Sequence, residues 1–314
     1  MNTTELVTAT RISGYIPDNS PDYTDQRIRT ELTDVLHEVF EKTVVNARQG
    51  FWLQQAVQDI QADQYYYRIP PRAVTGGMEK IQVIDGGGKI RHLIYTDLRS
   101  AYQYENIASG EPRAFVILGD QIQLLPKPSV SGWQLRFTYY IRPSTLVATQ
   151  TAGRVTAVNT STRVVTVSAI PNNQVTAASI VSGTDLIDIV HSDGWHELSL
   201  VGATQTWSGL NITITDDQSM GLIQVGDYVR YQGQTDWPCL PDDFHRSLAD
   251  AAAVVTLVST GQMQKAQLLG SKVQSDVERL QDLLCPRVKD SPRILKPQYG
   301  RLRRGGAFGQ YGTR

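Results

Sequence analysis

The histidines and the acidic pairs are the residues of this sequence that could bind a metal or transfer a proton. The five histidines lack the HExxH and HxxxH spacings of metal sites, and they are His37, His92, His191, His196 and His245. Within HSDGWHE, His191 and His196 could bind a metal together with Asp193 or Glu197. Because two histidines without a definite third ligand are weak grounds for a metal site, the segment is better interpreted as a surface loop.

The other motifs with possible chemistry also have structural interpretations. The segment Gly86-Gly87-Gly88-Lys89 resembles a phosphate-binding loop in composition, but it joins two predicted strands, whereas a phosphate site needs the start of a helix. Asp242-Asp243 suits the first turn of a helix, and Asp216-Asp217 suits a turn. The sequence contains no GxSxG motif, and no GxGxxG motif follows a strand. We therefore predict no enzyme activity, no metal and no cofactor.

The basic charge of the chain is concentrated at its C-terminus. Of 30 basic residues, six lie beyond Asp290, where no acidic residue occurs, and they are Arg293, Lys296, Arg301, Arg303, Arg304 and Arg314. Up to Asp290 the chain therefore carries 24 basic and 31 acidic residues, a formal charge of −7. An acidic body followed by a basic tail is typical of an interaction arm.

Cysteine content and hydropathy favour a protein made in a reducing compartment. Cys239 and Cys285 are too few for a disulfide framework and do not have CxxC spacing. No segment contains the roughly 18 consecutive apolar residues of a membrane span, and the start MNTTELVTAT lacks the features of a signal peptide. The sequence predicts synthesis in the cytosol and no membrane contact.

The first half of the chain predicts an arm, a helix and then strands. Residues 1–23 are polar and rich in turn residues, so we predict an N-terminal arm with little structure of its own. Residues 24–147 predict a helix followed by β-sheet. Thr24 or Asp25 can cap the start of the helix, and Gly50 can follow its end. The apolar positions with helical spacing are Ile28, Leu32, Val35, Leu36, Val39, Phe40 and Val44.

Short β-branched and aromatic runs, bounded by glycine and proline, follow from Gln64. The segments EKIQVID and KIRHLIYTD flank a predicted turn at Asp85-Gly-Gly-Gly88, and Gly119-Asp120 is a two-residue link between RAFVIL and QIQLLP. Residues 148–235 alternate Val, Thr and Ile with Ser, Asn and Gly. This texture predicts an inserted all-β domain.

Helical patterns return from Pro238. Residues 236–290 predict an antiparallel helix hairpin, with Ser259-Thr260-Gly261 between the helices and Cys285-Pro286 at the end. Its apolar positions are Phe244, Leu248, Ala251, Ala252 and Val255 in the first helix and Ala266, Leu269, Val273, Val277, Leu280 and Leu284 in the second. Residues 291–314 predict an extended basic tail. The predicted fold class is α+β, with a helical core, an antiparallel β-sheet, an inserted all-β domain and extended terminal arms.

The order of these segments resembles a known family of virus proteins. The succession QYYYRIPPRAV, RAFVILGDQIQLLPKP, WQLRFTYYIRPSTL, LPDDFHRSLADAAAVVTLVSTG and LLCPRVKDSPRI is similar to the head-to-tail adaptors of tailed bacteriophages, also called connector or head-completion proteins. The resemblance extends from about Thr24 to Ile294, and the β insertion departs from the smaller members of that family. It implies a structural virion protein of the head-tail junction, assembled in the cytoplasm of a bacterial host.

The resemblance also implies partners. Adaptors form a ring of identical subunits, commonly dodecameric, below the portal protein. Their helices form the wall of the DNA conduit, through which genomic DNA passes without sequence-specific contacts. Their β parts face outward or toward the next tail or nozzle protein, and the C-terminal segment reaches onto the portal.

The basic tail is then the predicted portal-binding segment. Extended at about 3.3 Å per residue, Pro292–Arg314 spans on the order of 75 Å. Its apolar side chains are expected to be anchors, and its basic side chains are expected to pair with acidic grooves. The predicted portal-binding residues are Arg293, Ile294, Leu295, Lys296, Tyr299, Arg301, Arg303, Arg304, Phe308 and Tyr311.

Two other classes of function stay open on the sequence alone. A nucleic-acid-binding protein would use the basic tail to contact phosphates, although the acidic body would repel duplex DNA. A carbohydrate-binding or host-recognition module would use the β insertion, where Trp195, His196 and Trp207 could form a stacking platform. Aromatic residues in a β domain are more often part of its core.

Overall fold

The chain combines helices with β-sheets in which most neighbouring strands are antiparallel. The computed structural model describes residues 1–47, 52–105, 109–149, 152–171, 181–191, 198–203, 205–215, 220–238 and 240–284. The described α-helices are α1 (Thr3–Gly14), α2 (Asp25–Val35), α3 (Glu41–Ala47), α4 (Leu98–Glu105), α5 (His245–Ser259) and α6 (Met263–Leu284). The fold is therefore mixed α+β.

Helix α1 shows that the predicted N-terminal arm is wrong for residues 3–14. Asn2 caps the helix by accepting a hydrogen bond from the N–H of Glu5 at 2.9 Å, and the Glu5 carboxylate accepts one from the N–H of Asn2 at 3.1 Å. Leu6 and Val7 are buried in the core. The Asn2–Glu5 spacing is the sequence signal that could have identified this helix.

The buried side of α1 carries polar residues, so the segment lacks the regular apolar stripe that would predict a helix. Arg11 is 8 % exposed because its guanidinium lies 2.6 Å from the Asp25 carboxylate and donates to the carbonyl oxygens of Pro17 and Tyr23 at 2.9 Å each. Thr10 is fully buried, and its hydroxyl donates a hydrogen bond to the Leu6 carbonyl oxygen in the same helix. Tertiary partners thus replace the apolar periodicity that the sequence lacks.

The helix predicted from Thr24 is confirmed. The Thr24 hydroxyl accepts a hydrogen bond from the N–H of Arg27 at 3.3 Å, and a π-helical segment, Leu36–Phe40, joins α2 to α3. Val39 is partly buried, and Gly50 lies outside the described residues. The remaining predicted apolar positions are buried, and they are Ile28, Leu32, Val35, Leu36, Phe40 and Val44.

Two four-stranded sheets follow. One has the strand order β1-β8-β3-β4 with antiparallel neighbours, and the other has the order β2-β7-β6-β5, in which β5 and β6 run parallel. The strands are β1 (Leu53–Ile60), β2 (Tyr66–Arg68), β3 (Ala73–Ile84), β4 (Ile90–His92), β5 (Ile94–Tyr95), β6 (Ala114–Leu118), β7 (Gln121–Leu125) and β8 (Trp133–Ile141).

Both predicted hairpin turns are confirmed. Residues 85–89 join the antiparallel strands β3 and β4, and Gly88 has a φ of 79°. Gly119-Asp120 links β6 to β7, and Gly119 has a φ of 63°. Glycine is favoured at both positions because other residues rarely adopt a positive φ.

Residues 153–231 form a separate seven-stranded sheet with the order β13-β12-β16-β10-β11-β15-β14. Its strands are β10 (Gly153–Asn159), β11 (Val164–Val167), β12 (Ile187–Val190), β13 (Leu198–Ala203), β14 (Gln205–Ser208), β15 (Asn211–Ile214) and β16 (Tyr228–Tyr231). In the sequence, β9 (Thr145–Leu146) precedes this sheet and β17 (Gln234–Thr235) follows it. The two strands pair in parallel, so the segments that enter and leave the sheet lie side by side.

Helices α5 and α6 complete the described chain. They pack against each other, and α5 also packs against α1 and α2. One hydrophobic cluster unites these helices with both four-stranded sheets, and its fully buried members include Leu6, Leu32, Phe137, Leu248 and Leu280. We call it the main core.

One predicted buried position of α5 is wrong. Val255 is 46 % exposed, because the covered side near the end of the helix carries Thr256 and Leu257. In α6, Leu269 and Val277 are half-buried. The other predicted apolar positions of the two helices are buried, and they are Phe244, Leu248, Ala251, Ala252, Ala266, Val273, Leu280 and Leu284.

Candidate functional site

The predicted portal-binding residues, 293–311, lie outside the described residues. Leu284, at the end of α6, is buried in the main core and precedes that segment. Cys239 and Cys285 also lie outside the described residues. The role of the tail therefore stays a prediction.

A groove of about 460 Å³ lies between the end of α1 and helices α5 and α6. Its apolar lining includes Ile12, Tyr15 and Leu268, which are 64, 68 and 75 % exposed. Tyr15 directly follows the last residue of α1 and has a φ of 53°, so the helix stops at the groove. Apolar side chains that stay exposed around a groove mark a protein-binding surface. We call it the helical groove.

The rim of the helical groove is basic. Lys272 and Arg246 lie 2.6 and 3.3 Å from the carboxylate of Asp250, whose side chain is 2 % exposed. The ammonium of Lys265 lies 4.1 Å from the centre of the Tyr15 ring, within the range of a cation–π contact. Because the rim has three cations and one carboxylate, it carries net positive charge. It suits a partner surface that combines apolar side chains with carboxylates.

A second apolar surface lies where β4 leads into β5. Ile94, Tyr95 and Leu98 are 69, 61 and 64 % exposed. Among the described strands, β4 and β5 each lie at the edge of a sheet. An edge strand with exposed apolar side chains pairs with another chain unless it is covered. We call this region the edge surface.

A cleft of about 610 Å³ lies between the π-helical segment and the start of the insertion. Its lining combines the acidic residues Glu38 and Glu41 with the basic residues Lys42, Arg72 and Arg142, of which Arg72 is already paired with Asp188. His37 also lines the cleft, and its Nε2 is 3.0 Å from the Pro143 carbonyl oxygen. This balanced lining gives no preference for an anion or a cation.

Of the four candidate metal ligands in the histidine motif, the structure describes only His191. His191 is 4 % exposed, and its Nδ1 lies 3.2 Å from the carboxylate of Asp227, which also accepts the N–H of Gln224 at 2.8 Å. Asp193, His196 and Glu197 lie outside the described residues. No group of three or more possible metal ligands is found in the part of the chain that the structure describes.

The glycine-rich segment is a hairpin turn. The carboxylate of Asp85 accepts the N–H groups of Gly87 and Lys89, both at 2.9 Å. These amides are directed at a side chain of the same turn, whereas a phosphate site needs free amides at a helix start. The turn prediction is confirmed.

The carboxylate pairs and the aromatic platform are only partly described. Asp242 and Asp243 form a short 3₁₀ turn before α5. Trp207 is half-buried and packs against the hydrophobic cluster of the insertion. Asp216, Asp217, Trp195 and His196 lie outside the described residues.

None of the described helices is both long and apolar enough to cross a membrane. The prominent features of the described surface are apolar patches at helix ends and sheet edges, which are typical of protein-binding surfaces.

A comparison with known protein families identifies the class of protein. The profile of the SU10 adaptor protein family matches residues 1–178, which is more than half of the chain. The chain belongs to this family of phage head-to-tail adaptors and is a structural virion component. No curated protein matches the sequence. The resemblance inferred from the order of segments is thereby confirmed.

Proposed function

We propose that this chain is the subunit of a ring that connects the portal of a phage capsid to the tail. The family match carries the proposal, because it covers α1 to α4 and both four-stranded sheets. Helices α5 and α6 lie beyond the match but belong to the same hydrophobic cluster as α1. In this assembly the helices and sheets form the adaptor core, α5 and α6 form its helix hairpin, and residues 148–235 are an inserted domain.

Ring closure supplies a use for the exposed apolar surfaces. A closed ring of identical chains joins two different surfaces of neighbouring copies. In the proposal, the helical groove is one of these surfaces, and the neighbouring copy covers Ile12, Tyr15 and Leu268. The positive rim of the groove sets the register by pairing with carboxylates of that copy.

The outer side of α6 supports a place in the wall of the DNA conduit. Gln264, Ser271, Ser275 and Asp282 are exposed and recur at helical spacing on one side of the helix. The same side also carries Leu268, which borders the helical groove, and Glu278, so beyond the groove it has only neutral and acidic residues. A wall of this kind does not bind phosphates, and together with the charge of −7 before residue 291 it lets DNA pass.

The basic tail connects the ring to the portal in this proposal. Docking an extended segment costs about 2 to 5 kcal/mol in ordering, so the contacts of anchors such as Leu295 and Tyr299 have to exceed that cost. The opposite side of the ring contacts the downstream tail or nozzle protein. The proposed site of action is the head-tail junction of the virion.

Deleting Pro292–Arg314 tests the portal contact. The truncated protein should keep its helical circular dichroism, because the deletion leaves α6 intact, while portal binding measured by interferometry should be lost or strongly weakened. The matched control is Leu210→Ala, a surface change in the insertion. Unchanged portal affinity after truncation would show that the tail is not the docking segment.

The nucleic-acid alternative is separated with the isolated tail peptide. If the tail is a DNA-binding arm, the peptide should bind any duplex, with log affinity falling by about 0.9 per phosphate contact for each decade of salt. The adaptor proposal expects the portal to compete successfully with duplex DNA for the same peptide at physiological salt. Competition in favour of DNA would support the alternative.

A further inference from the structure

The insertion meets the main core through Val190 of β12, which is buried in the main core, and through buried charged groups. The Arg72 guanidinium lies 2.6 Å from the Asp188 carboxylate, and the two side chains are 13 and 0 % exposed. Arg72 precedes β3 of the core, whereas Asp188 lies on β12 of the insertion. This ion pair therefore joins two parts of the protein that are 116 residues apart in sequence.

Further hydrogen bonds fix the geometry of that pair. Arg72 also donates to the Ser144 hydroxyl at 2.8 Å, and the Asp188 carboxylate accepts the N–H of Gly233 at 2.9 Å. Ser144 and Gly233 belong to the two segments that connect the insertion to the core. The planar guanidinium with its fixed donors thus holds one connecting segment, while the carboxylate holds the other.

A second ion pair is buried nearby. Arg230, on β16, lies 3.3 Å from the Asp236 carboxylate, and both side chains are fully buried. Arg230 also donates to the Ala148 carbonyl oxygen at 2.9 Å. The carbonyl oxygen of Asp236 accepts two hydrogen bonds from Thr3, one from its N–H and one from its hydroxyl, at 2.9 Å each. The second pair therefore links the insertion to helix α1.

These charges are poorly explained as a source of stability. Burial removes water from both charged groups. This loss of solvation raises the pKa of Asp236 and lowers the pKa of Arg230. The Asp236 Oδ2 atom is buried without a hydrogen-bond partner among the described residues. Apolar side chains of similar volume commonly replace such pairs without loss of stability, and in some proteins buried polar or ionic groups instead select one arrangement.

We propose that Arg72–Asp188 and Arg230–Asp236 form an ionic latch that fixes the orientation of the insertion on the adaptor core. The insertion and the core each have an apolar interior, and the latch makes them move as one body. Because Thr3 holds the backbone of Asp236, helix α1 is part of the same rigid unit. The latch assigns the insertion the role of a fixed projection, which goes beyond ring formation and portal binding and does not depend on either.

The latch is tested by distance measurements between two spin labels on the full-length protein. Gln26→Cys on α2 and Ser161→Cys in the turn between β10 and β11 are exposed label sites, in a background with both native cysteines replaced by serine. The unaltered junction is expected to give one narrow distance distribution. With R72M, D188L, R230M and D236L combined, the distribution is expected to roughly double in width, while circular dichroism still shows helices and strands.

A matched control uses an exposed ion pair of the same chemistry. Arg68 and Asp120 lie 3.6 Å apart with side chains 73 and 71 % exposed, and R68M with D120L should leave the distribution narrow. A broad distribution with the junction intact would overturn the latch, and so would a narrow one after all four charges are removed. If the fourfold variant fails to fold, R72M with D188L alone has to broaden the distribution, and a narrow result there overturns the proposal.

Discussion

The main core and the interior of the insertion differ in the length of chain that supplies their residues. The main core combines residues from Leu6 to Leu284, whereas the cluster of the insertion uses only residues between Val155 and Val229. The insertion can therefore assemble its apolar interior from one continuous segment, while the adaptor core needs both ends of the chain. The boundary between them is held by the buried ion pairs and by Val190 of β12, which belongs to the main core. Because the two interiors are otherwise separate, the two regions can be tested separately.

Removing the insertion is expected to have the largest effect. A short Gly-Ser bridge in place of Ala148–Gln234 should leave the helical circular dichroism of the core, but the deletion removes Arg230 and Asp188 and so leaves Asp236 and Arg72 without their ion-pair partners. Removing one member of a buried pair costs about 3 to 5 kcal/mol. Adding Asp236→Asn to the deletion should restore the part of the free energy of unfolding that is lost at Asp236, measured by urea denaturation.

The deletion experiment also tests the predicted domain boundaries. If the deleted protein loses its helical signal and melts over a broad range even with Asp236→Asn, then 148–235 is not an autonomous domain. The control is Asp120→Asn in the same deletion, because Asp120 is exposed and should recover nothing.

Single core substitutions sharpen the comparison. Phe137→Ala in the main core should cost about 3 to 5 kcal/mol, and Ile212→Ala in the insertion should cost about 2 to 5 kcal/mol, because both residues are fully buried. Differential scanning calorimetry should show two transitions, each shifted by only one of the two variants. A single transition that both variants shift equally would show that the two interiors unfold together.

Acid should weaken the helical region through His245. Burial, and next the positive charge of the Met1 amine, lower the pKa of His245 to about 4. In the unfolded chain His245 takes up its proton near pH 6.5. Above that pH His245 does not change the free energy of unfolding, and the free energy of unfolding decreases as the pH falls from 6.5 toward 4. The loss attributable to His245 should reach up to about 3 kcal/mol.

The measurement compares the free energy of unfolding at pH 7 and pH 4.5. His245→Gln should reduce the difference between the two pH values, because glutamine does not take up a proton. His92→Gln is the matched control, since His92 is exposed and should leave the difference unchanged. An equal pH dependence in the parent and His245→Gln proteins would contradict this role of His245.

The smallest expected effect concerns the surfaces of the two regions, and it is an effect on assembly. Leu268→Lys in the helical groove should weaken contacts between copies by about 1 to 2 kcal/mol per contact, whereas Leu210→Lys in the insertion, where Leu210 is 47 % exposed, should not. Analytical ultracentrifugation with and without portal measures the difference. Equal assembly of both variants would show that the helical groove is not a subunit interface.

Local signals made much of the fold predictable. The helix from Thr24 carries a cap and a regular apolar stripe, and the turns at Gly88 and Gly119 carry residues that favour a positive φ. These features depend on neighbours in the sequence. Helix α4 also has such a signal, since Asp97 accepts the N–H of Ser100 at 2.8 Å, but it was not predicted.

The remaining features depend on distant partners. Arg11 is buried because Asp25 and two backbone carbonyl groups surround it, and no pattern within residues 1–23 reveals that. The pair Arg72–Asp188 is equally hidden, because the two residues meet only after the insertion has folded onto the core. The helical groove combines α1 with α5 and α6, so its existence follows from tertiary packing alone.

The most direct test of the adaptor account is electron microscopy of the full-length protein mixed with its portal. The account predicts a closed ring of copies of this chain, coaxial with the portal, with a central opening wide enough for duplex DNA and with the insertions projecting at one fixed angle. The same mixture with Pro292–Arg314 deleted should show portals without the ring. Portals that stay bare with the full-length protein, or copies bound without rotational symmetry, would contradict the account.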